Sequence, residues 1–336
     1  GVGLGTITGS IFNSFSKYKS ETQSINRLAK YIYSKIQSKQ INFNRKNTYQ
    51  SNTSLESLHY GKEITKLSAR WQEISNKYKD LTASGYFISL ENGNFAKLNH
   101  EMALPAASSI KIPILVSILK KVDAKEVLWN EKIELNKEDI AGGSGWMGYQ
   151  PIGKKFPLYE VANEMIRVSD NTATNLIIKK LGGLNSLNSD FEKLNIKQTK
   201  LINLLPDLNG ENTTSTKDLV TTIANVDLGN TLNMKTRDLF REVMSTSLSN
   251  RLIPTGLLKG LRINPEDPDE KLLINGFRVY NKTGDIGIAY ADAALIEMPN
   301  NTRAVAAFIV KGLFNDPRST NLIREMAASL LMVLEY

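Results

Sequence analysis

The chain has 336 residues, 41% of them hydrophobic, enough for one large domain or two modest ones with a real core. It has no cysteine, which excludes disulfides, thiol nucleophiles and cysteine metal sites, and only two histidines, His59 and His100, too few for a multi-histidine zinc site. The net charge of +8 is uneven: residues up to Tyr60 carry eight basic and two acidic side chains, or +6, which leaves +2 for the remainder.

Residues 1–12 are small and apolar, too short to span a bilayer, and read as the end of an anchor or signal segment that mostly precedes this chain. The expected location is therefore extracytoplasmic, in the periplasm. Residues 13–57 form a basic, polar tail, with a helix over 24–37 (Ile25, Leu28, Ile32 and Ile36 on one face) and a linker over 40–54. Such a tail can touch a membrane or cell-wall polymer, or serve as a solvated linker. The body has no nucleic-acid motif and no basic patch interleaved with aromatics, and it is expected to be a monomer.

The body begins near Leu58. An amphipathic helix is expected over 64–78, then strands over 85–90 and 95–98 joined at Asn92-Gly93. A buried helix follows over 112–122, with Ser108 at or near its start. Residues 137–149 are a glycine-rich loop. Helices over 158–168 and 173–181 flank Ser169-Asp170-Asn171, and Gly182-Gly183 caps the second. After an irregular stretch at 200–214, helices are expected over 216–226 and 234–245, and an acidic, proline-containing loop over 264–271. Strand-like runs at 277–283, 288–298 and 303–311 precede a final helix over 318–334. Two strands early, three late and helices between imply an α/β (α+β) fold. Its antiparallel sheet of about five strands is closed by both chain ends and flanked by N- and C-terminal helices, with an all-helical lobe inserted. The sheet lobe would hold 58–104 and 275–336, the helical lobe 105–274.

Ser108 and Lys111 are three residues apart, so on a helix they share a face. A serine hydroxyl needs a neighbouring base to become a nucleophile. Lys111, flanked by Ile110, Ile112 and Ile114, would be partly desolvated, which lowers its pKa towards that task. With His59 in a polar stretch and His100 at a strand end, lysine is the best base available to a serine enzyme here. Taken alone, Ser-x-x-Lys is a common tetrapeptide and a serine at a helix start is usually an N-cap.

Two further motifs follow in order: Ser169-Asp170-Asn171 in a helix–helix connection, and Lys282-Thr283-Gly284 at a strand end. Together the three are the signature of class A β-lactamases and penicillin-binding proteins. From about Leu58 to the C-terminus the chain resembles the serine penicillin-recognising enzymes, class A β-lactamases most closely. The resemblance implies Ser108 as acylated nucleophile, Lys111 as its proton acceptor, and Ser169 as the serine that passes a proton to the leaving nitrogen. It implies that Asn171 bonds the substrate's side-chain amide and that Lys282 and Thr283 hold its carboxylate, with Lys282 also supporting the serine–lysine cluster. Gly284 completes that motif, and the oxyanion hole would be the backbone amides of Ser108 and Asp285. No cofactor and no metal is implied. Asp170 would be structural, and Trp146 or Tyr149 would either wall the cleft or merely pack.

One departure is clear. The family's loop glutamate, which activates water to release the acyl group, has no counterpart. Asn209 matches the loop asparagine that helps to hold that water, and in this register the glutamate position holds Leu205. Asp207 and Glu211 are carboxylates nearby, both out of register. Acylation should be intact and turnover impaired. The first reading is a β-lactamase opening β-lactam rings through acyl-Ser108. The alternatives are a penicillin-binding D-alanyl-D-alanine carboxypeptidase-like or other acyl hydrolase acting on peptidoglycan peptide, or a non-enzymatic cell-wall-binding module.

Overall fold

A computed structural model describes Leu58 and residues 60–334. His59 and the expected features of the basic tail lie outside the described residues. Five strands form one antiparallel sheet: β1 (Thr82–Ser89), β2 (Phe95–Leu98), β7 (Arg278–Asp285), β8 (Ala289–Glu297) and β9 (Arg303–Lys311), in the order β2-β1-β9-β8-β7. Short pairs β3 (Leu104–Pro105) with β6 (Thr213–Thr214), and β4 (Lys132–Glu134) with β5 (Lys155–Pro157), lie outside it. The helices are α1 (Thr65–Asn76), α2 (Lys111–Asp123), α3 (Leu158–Arg167), α4 (Asn171–Lys180), α5 (Gly183–Lys193), α6 (Thr216–Asp227), α7 (Met234–Ser245), α8 (Ile253–Gly260), α9 (Pro268–Ile274) and α10 (Pro317–Ala328). None among the described residues is long and apolar enough to cross a membrane.

Successive residues of a strand point to opposite faces, and each face of this sheet has its own core. Tyr86, Ile88, Ala293, Leu295, Ala307 and Ile309 join α2 and the helices around it, whereas Phe87, Ala294, Ile296, Phe308 and Val310 pack with α1, α8 and α10. Because β8 and β9 are covered on both sides, they read as nearly continuous small and apolar runs. The first nine residues of α2 are buried and, but for Lys111 and Ser117, apolar: Ile112, Ile114, Leu115, Val116, Ile118 and Leu119 are each 0% exposed. On the far face, Trp71 of α1 donates its indole N–H to Ser329 Oγ (3.0 Å) and meets Phe308 edge-on, tying the two chain ends together.

The expected sheet and its closure by both ends are present. Ser108 lies near the start of the buried helix, as expected, in a 3-10 turn, Ala107–Ile110, that leads into α2. Three expectations need correction. Helices α5 and α8 form where none was expected, and α9 starts inside the acidic loop because Pro268 sits in its first turn, where a missing N–H costs nothing. In α8, a Cβ on Gly256 would lie 2.6 Å from Ala327 Cβ, so this glycine permits close packing on α10 rather than ending the helix. Finally, Leu252, Ile253, Leu257, Leu258 and Leu272 belong to the outer core, so the stretch from 252 to 274 packs with the sheet's outer layer and not with the helical lobe.

Candidate active site

The 3-10 turn presents Ser108, half-buried, directly against strand β7. The fit depends on Gly284, where a Cβ would lie 2.8 Å from Ser108 N and 2.9 Å from Ala107 Cβ. Any side chain there would push the strand off Ser108. Ala107 adopts φ +46°, a left-handed conformation that a non-glycine residue holds only under the constraint of its surroundings. The contact brings the Gly284–Asp285 backbone beside the Ser108 amide, where the expected oxyanion donors belong.

Lys111, the first residue of α2, is 0% exposed. Its Nζ donates to Ser169 O (2.7 Å), Ser169 Oγ (3.0 Å) and Asn171 Oδ1 (3.0 Å), all uncharged acceptors. Burial pushes its pKa well below the ordinary lysine value; the positive charge of Lys282 adds to the effect and Asp170 opposes it. Lys282, also 0% exposed, donates to Thr283 O (2.7 Å), and burial lowers its pKa to about 8 against the opposing charge of Asp292. Asp292, opposite Thr283 on β8, is fully buried; burial raises its pKa to about 7, although Asn281 Nδ2 (2.9 Å) and the Ile253 amide (2.8 Å) donate to it.

Ser169 has φ +60° and leads into α4. Asp170 caps α4 by accepting from the Ala173 amide (2.8 Å), and its other oxygen takes the amides of Trp146 (2.7 Å) and Met147 (2.8 Å). It is structural, as expected. Asn171 donates to Gly142 O (3.0 Å), so the glycine-rich loop orients the same amide that accepts from Lys111.

The irregular stretch expected over 200–214 lies beside the turn that carries Ser108: Ala106 N donates to Asn212 O (2.8 Å), and β3 pairs with β6. Leu205, 6% exposed, is held on both sides by Asn175, which accepts from its amide (3.0 Å) and donates to its carbonyl (2.9 Å); the Leu205–Pro206 peptide is cis. Asp207 accepts from the Asn212 amide (2.7 Å) and Glu211 from Asn203 Nδ2 (2.6 Å). Both carboxylates thus close the loop on itself, and among the described residues neither bonds to Ser108 or Lys111. Asn209 is exposed. Tyr149, 83% exposed, makes none of the hydrogen bonds that join the site residues. Trp146 packs edge-on against Phe156, with its indole N–H on Glu164.

Strand alternation sends Thr283 to the face opposite Lys282. There it lines a cavity of about 310 Å³ with Ser249, Arg251, Asp285 and Arg324. Arg324, from α10, donates to Arg251 O (2.8 Å) and Asn321 Oδ1 (2.9 Å), and neither arginine forms an ion pair among the described residues. Two guanidinium groups that share this cavity with Thr283 suit a carboxylate. No motif marks either arginine in the sequence, because packing of α8 and α10 on the sheet brings them to Thr283.

A family model described as the beta-lactamase enzyme family matches residues 66–334. The chain belongs to the beta-lactamase enzyme family. It is similar to a beta-lactamase of Bacillus subtilis (strain 168), 23% identical over 85% of this chain and 89% of that protein. Among solved structures it is similar to PBP-A, with 36% identity and a TM-score of 0.75 over 82% of this chain and 98% of that one. A leucine-to-glutamate variant of PBP-A is recorded as an acyl-enzyme complex with penicillin G. An ancestral class A beta-lactamase shares the fold, with a TM-score of 0.69 at 21% identity over 80% of this chain and the whole of that one. The chain is thus a serine hydrolase of the β-lactamase type, in which Lys111 bonds Ser169 and Asn171, and Gly284 of the Lys282-Thr283-Gly284 strand packs on Ser108.

Proposed function

We propose that Ser108 opens the ring of penicillin-type β-lactams and that release of the resulting acyl group is the slow step. The observation that carries this reading is Lys111, fully buried within hydrogen-bond reach of Ser169 Oγ, where burial and the nearby Lys282 charge favour the neutral amine that can act as a base. Ser108 Oγ attacks the lactam carbonyl and its proton passes to Lys111 Nζ. The Ser108 and Asp285 amides take the charge that develops on the oxygen. The carbon–nitrogen bond then breaks, and the nitrogen takes the hydroxyl proton of Ser169, which Lys111, 3.0 Å from that oxygen, replaces. Thr283 and Arg324 hold the substrate carboxylate. Water then meets Leu205, which has no lone pair to accept a proton.

The test is intact-mass spectrometry with excess benzylpenicillin, sampled over time while loss of the drug is followed. The expected result is a lasting adduct of drug mass, absent in Ser108→Ala, with little drug consumed. Rapid drug loss with a fleeting adduct would overturn the slow release; neither adduct nor loss would sink the β-lactam reading as a whole. Arg324→Ala should weaken acylation by benzylpenicillin about tenfold or more, the scale of a charge-assisted hydrogen bond. It should leave acylation by the drug's methyl ester unchanged. An equal loss for both compounds would count against a role in holding the carboxylate.

A further inference from the structure

The last turn of α3 carries a buried carboxylate that takes no part in these steps. Glu164 is 8% exposed. Arg167 donates to it as a fork, Nε to Oε1 (2.7 Å) and Nη2 to Oε2 (2.7 Å), and the Trp146 indole N–H donates to Oε2 (2.6 Å). Burial alone would raise its pKa, but the hydrogen bonds from Arg167 and Trp146 outweigh burial and hold it low.

Its neighbours reach both walls of the cleft. On one side, Trp146 sits in the glycine-rich loop whose Gly142 and Ser144 carbonyls accept from the Asn171 side chain (3.0 Å) and amide (3.1 Å). On the other, the Arg167 carbonyl accepts from the Leu248 amide (3.0 Å), and Leu248 and Ser249 line the cavity beside Thr283. The Glu164 carbonyl accepts from the Asp170 amide (3.1 Å), and Asp170 holds the Trp146 backbone. One helical turn therefore grips the loop by Trp146's side chain, by its backbone through Asp170, and grips the facing wall through Leu248.

We propose that Glu164 and Arg167 are positioning residues that act through Trp146 to fix the amide of Asn171 for substrate and through Leu248 to set the opposite wall. Glu164 is buried while Arg167 is part-exposed, and the further donor to the carboxylate, the Trp146 indole, comes from the loop that orients Asn171. The inference rests on the reading of Asn171 and Thr283 as substrate-holding groups.

Trp146→Phe keeps a ring against Phe156 and removes the N–H that Glu164 receives. In this variant we expect the dissociation constant of the pre-acylation complex with benzylpenicillin to rise about tenfold, with the acylation rate at saturation within about threefold of the parent. Backbone amides of residues 141–149 should exchange hydrogen faster than in the parent. Glu164→Ala should reproduce both changes, and Glu164→Gln, which keeps an oxygen for the indole, should recover most of the binding. The positioning role is overturned if Trp146→Phe binds the drug as the parent does, if it loses only the rate at saturation, or if the loop exchanges as in the parent. If the parent itself takes no drug, the reading of Ser108 falls instead, and hydrogen exchange alone decides whether Glu164 holds the loop.

Discussion

Replacing Leu205 by glutamate is expected to shorten the life of the Ser108 acyl-enzyme by about a hundredfold or more, the scale on which a positioned general base acts. The backbone is already in place. Asn175 pins both polar groups of Leu205, and the Ala106–Asn212 bond sets the loop against the nucleophile turn. What the native residue lacks is an atom that can take a proton from water. The nearest alternatives, Asp207 and Glu211, are engaged within the loop and so do not fill the role. The measurement is the decay of the benzylpenicillin adduct, with drug consumption followed alongside. An adduct that forms normally and decays no faster in Leu205→Glu would show that geometry or water access, and not the missing base, limits release.

Lys111→Arg should slow acylation by about a thousandfold, because guanidinium keeps the charge but stays protonated at any working pH. The pH profile of the parent carries the same argument. Acylation needs neutral Lys111, so its rate should climb as pH rises through a pKa well below the ordinary lysine value. It also needs Lys282 charged, so the rate should fall again as pH passes about 8. The two limbs give a bell. Lys111→Arg should remove the rising limb and leave a low, flat rate up to the point where Lys282 titrates. A parent profile that rises only where a solvent-exposed lysine titrates would rule out Lys111 as the base.

What the sequence revealed about this site and what it hid have a common physical cause. The three motifs are legible because each is a short continuous segment with its own backbone demand: Gly284 must lack a Cβ for β7 to touch Ser108, and Asp170 must cap α4. Helix α2 is legible because burial of its first nine residues leaves an apolar run interrupted after Lys111 only by Ser117. Arg324 and Arg251 were hidden because they meet Thr283 only after α8 and α10 pack on the sheet. Helix α8 was hidden by its glycines, whose absent side chains matter only against α10 and the turn after it. The Glu164–Trp146 bond joins residues with no local spacing rule between them. Local backbone requirements leave a trace in the sequence; contacts made by assembly do not.

The sheet order bears on how the molecule is made. Strand β9 lies in the middle, between β1 and β8, yet among the described strands it is the last to be synthesised, at Arg303–Lys311. Strands β1 and β2 are finished by Leu98 and pair as a hairpin, but the other edge of β1 must wait for β9. Both cores share β9 as a wall, so neither can close earlier. Assembly therefore depends on contacts between distant parts of the chain, which makes folding slow and leaves apolar segments exposed meanwhile. A message truncated before Lys311 would yield not a smaller enzyme but a chain whose helices and early hairpin have no sheet to pack on.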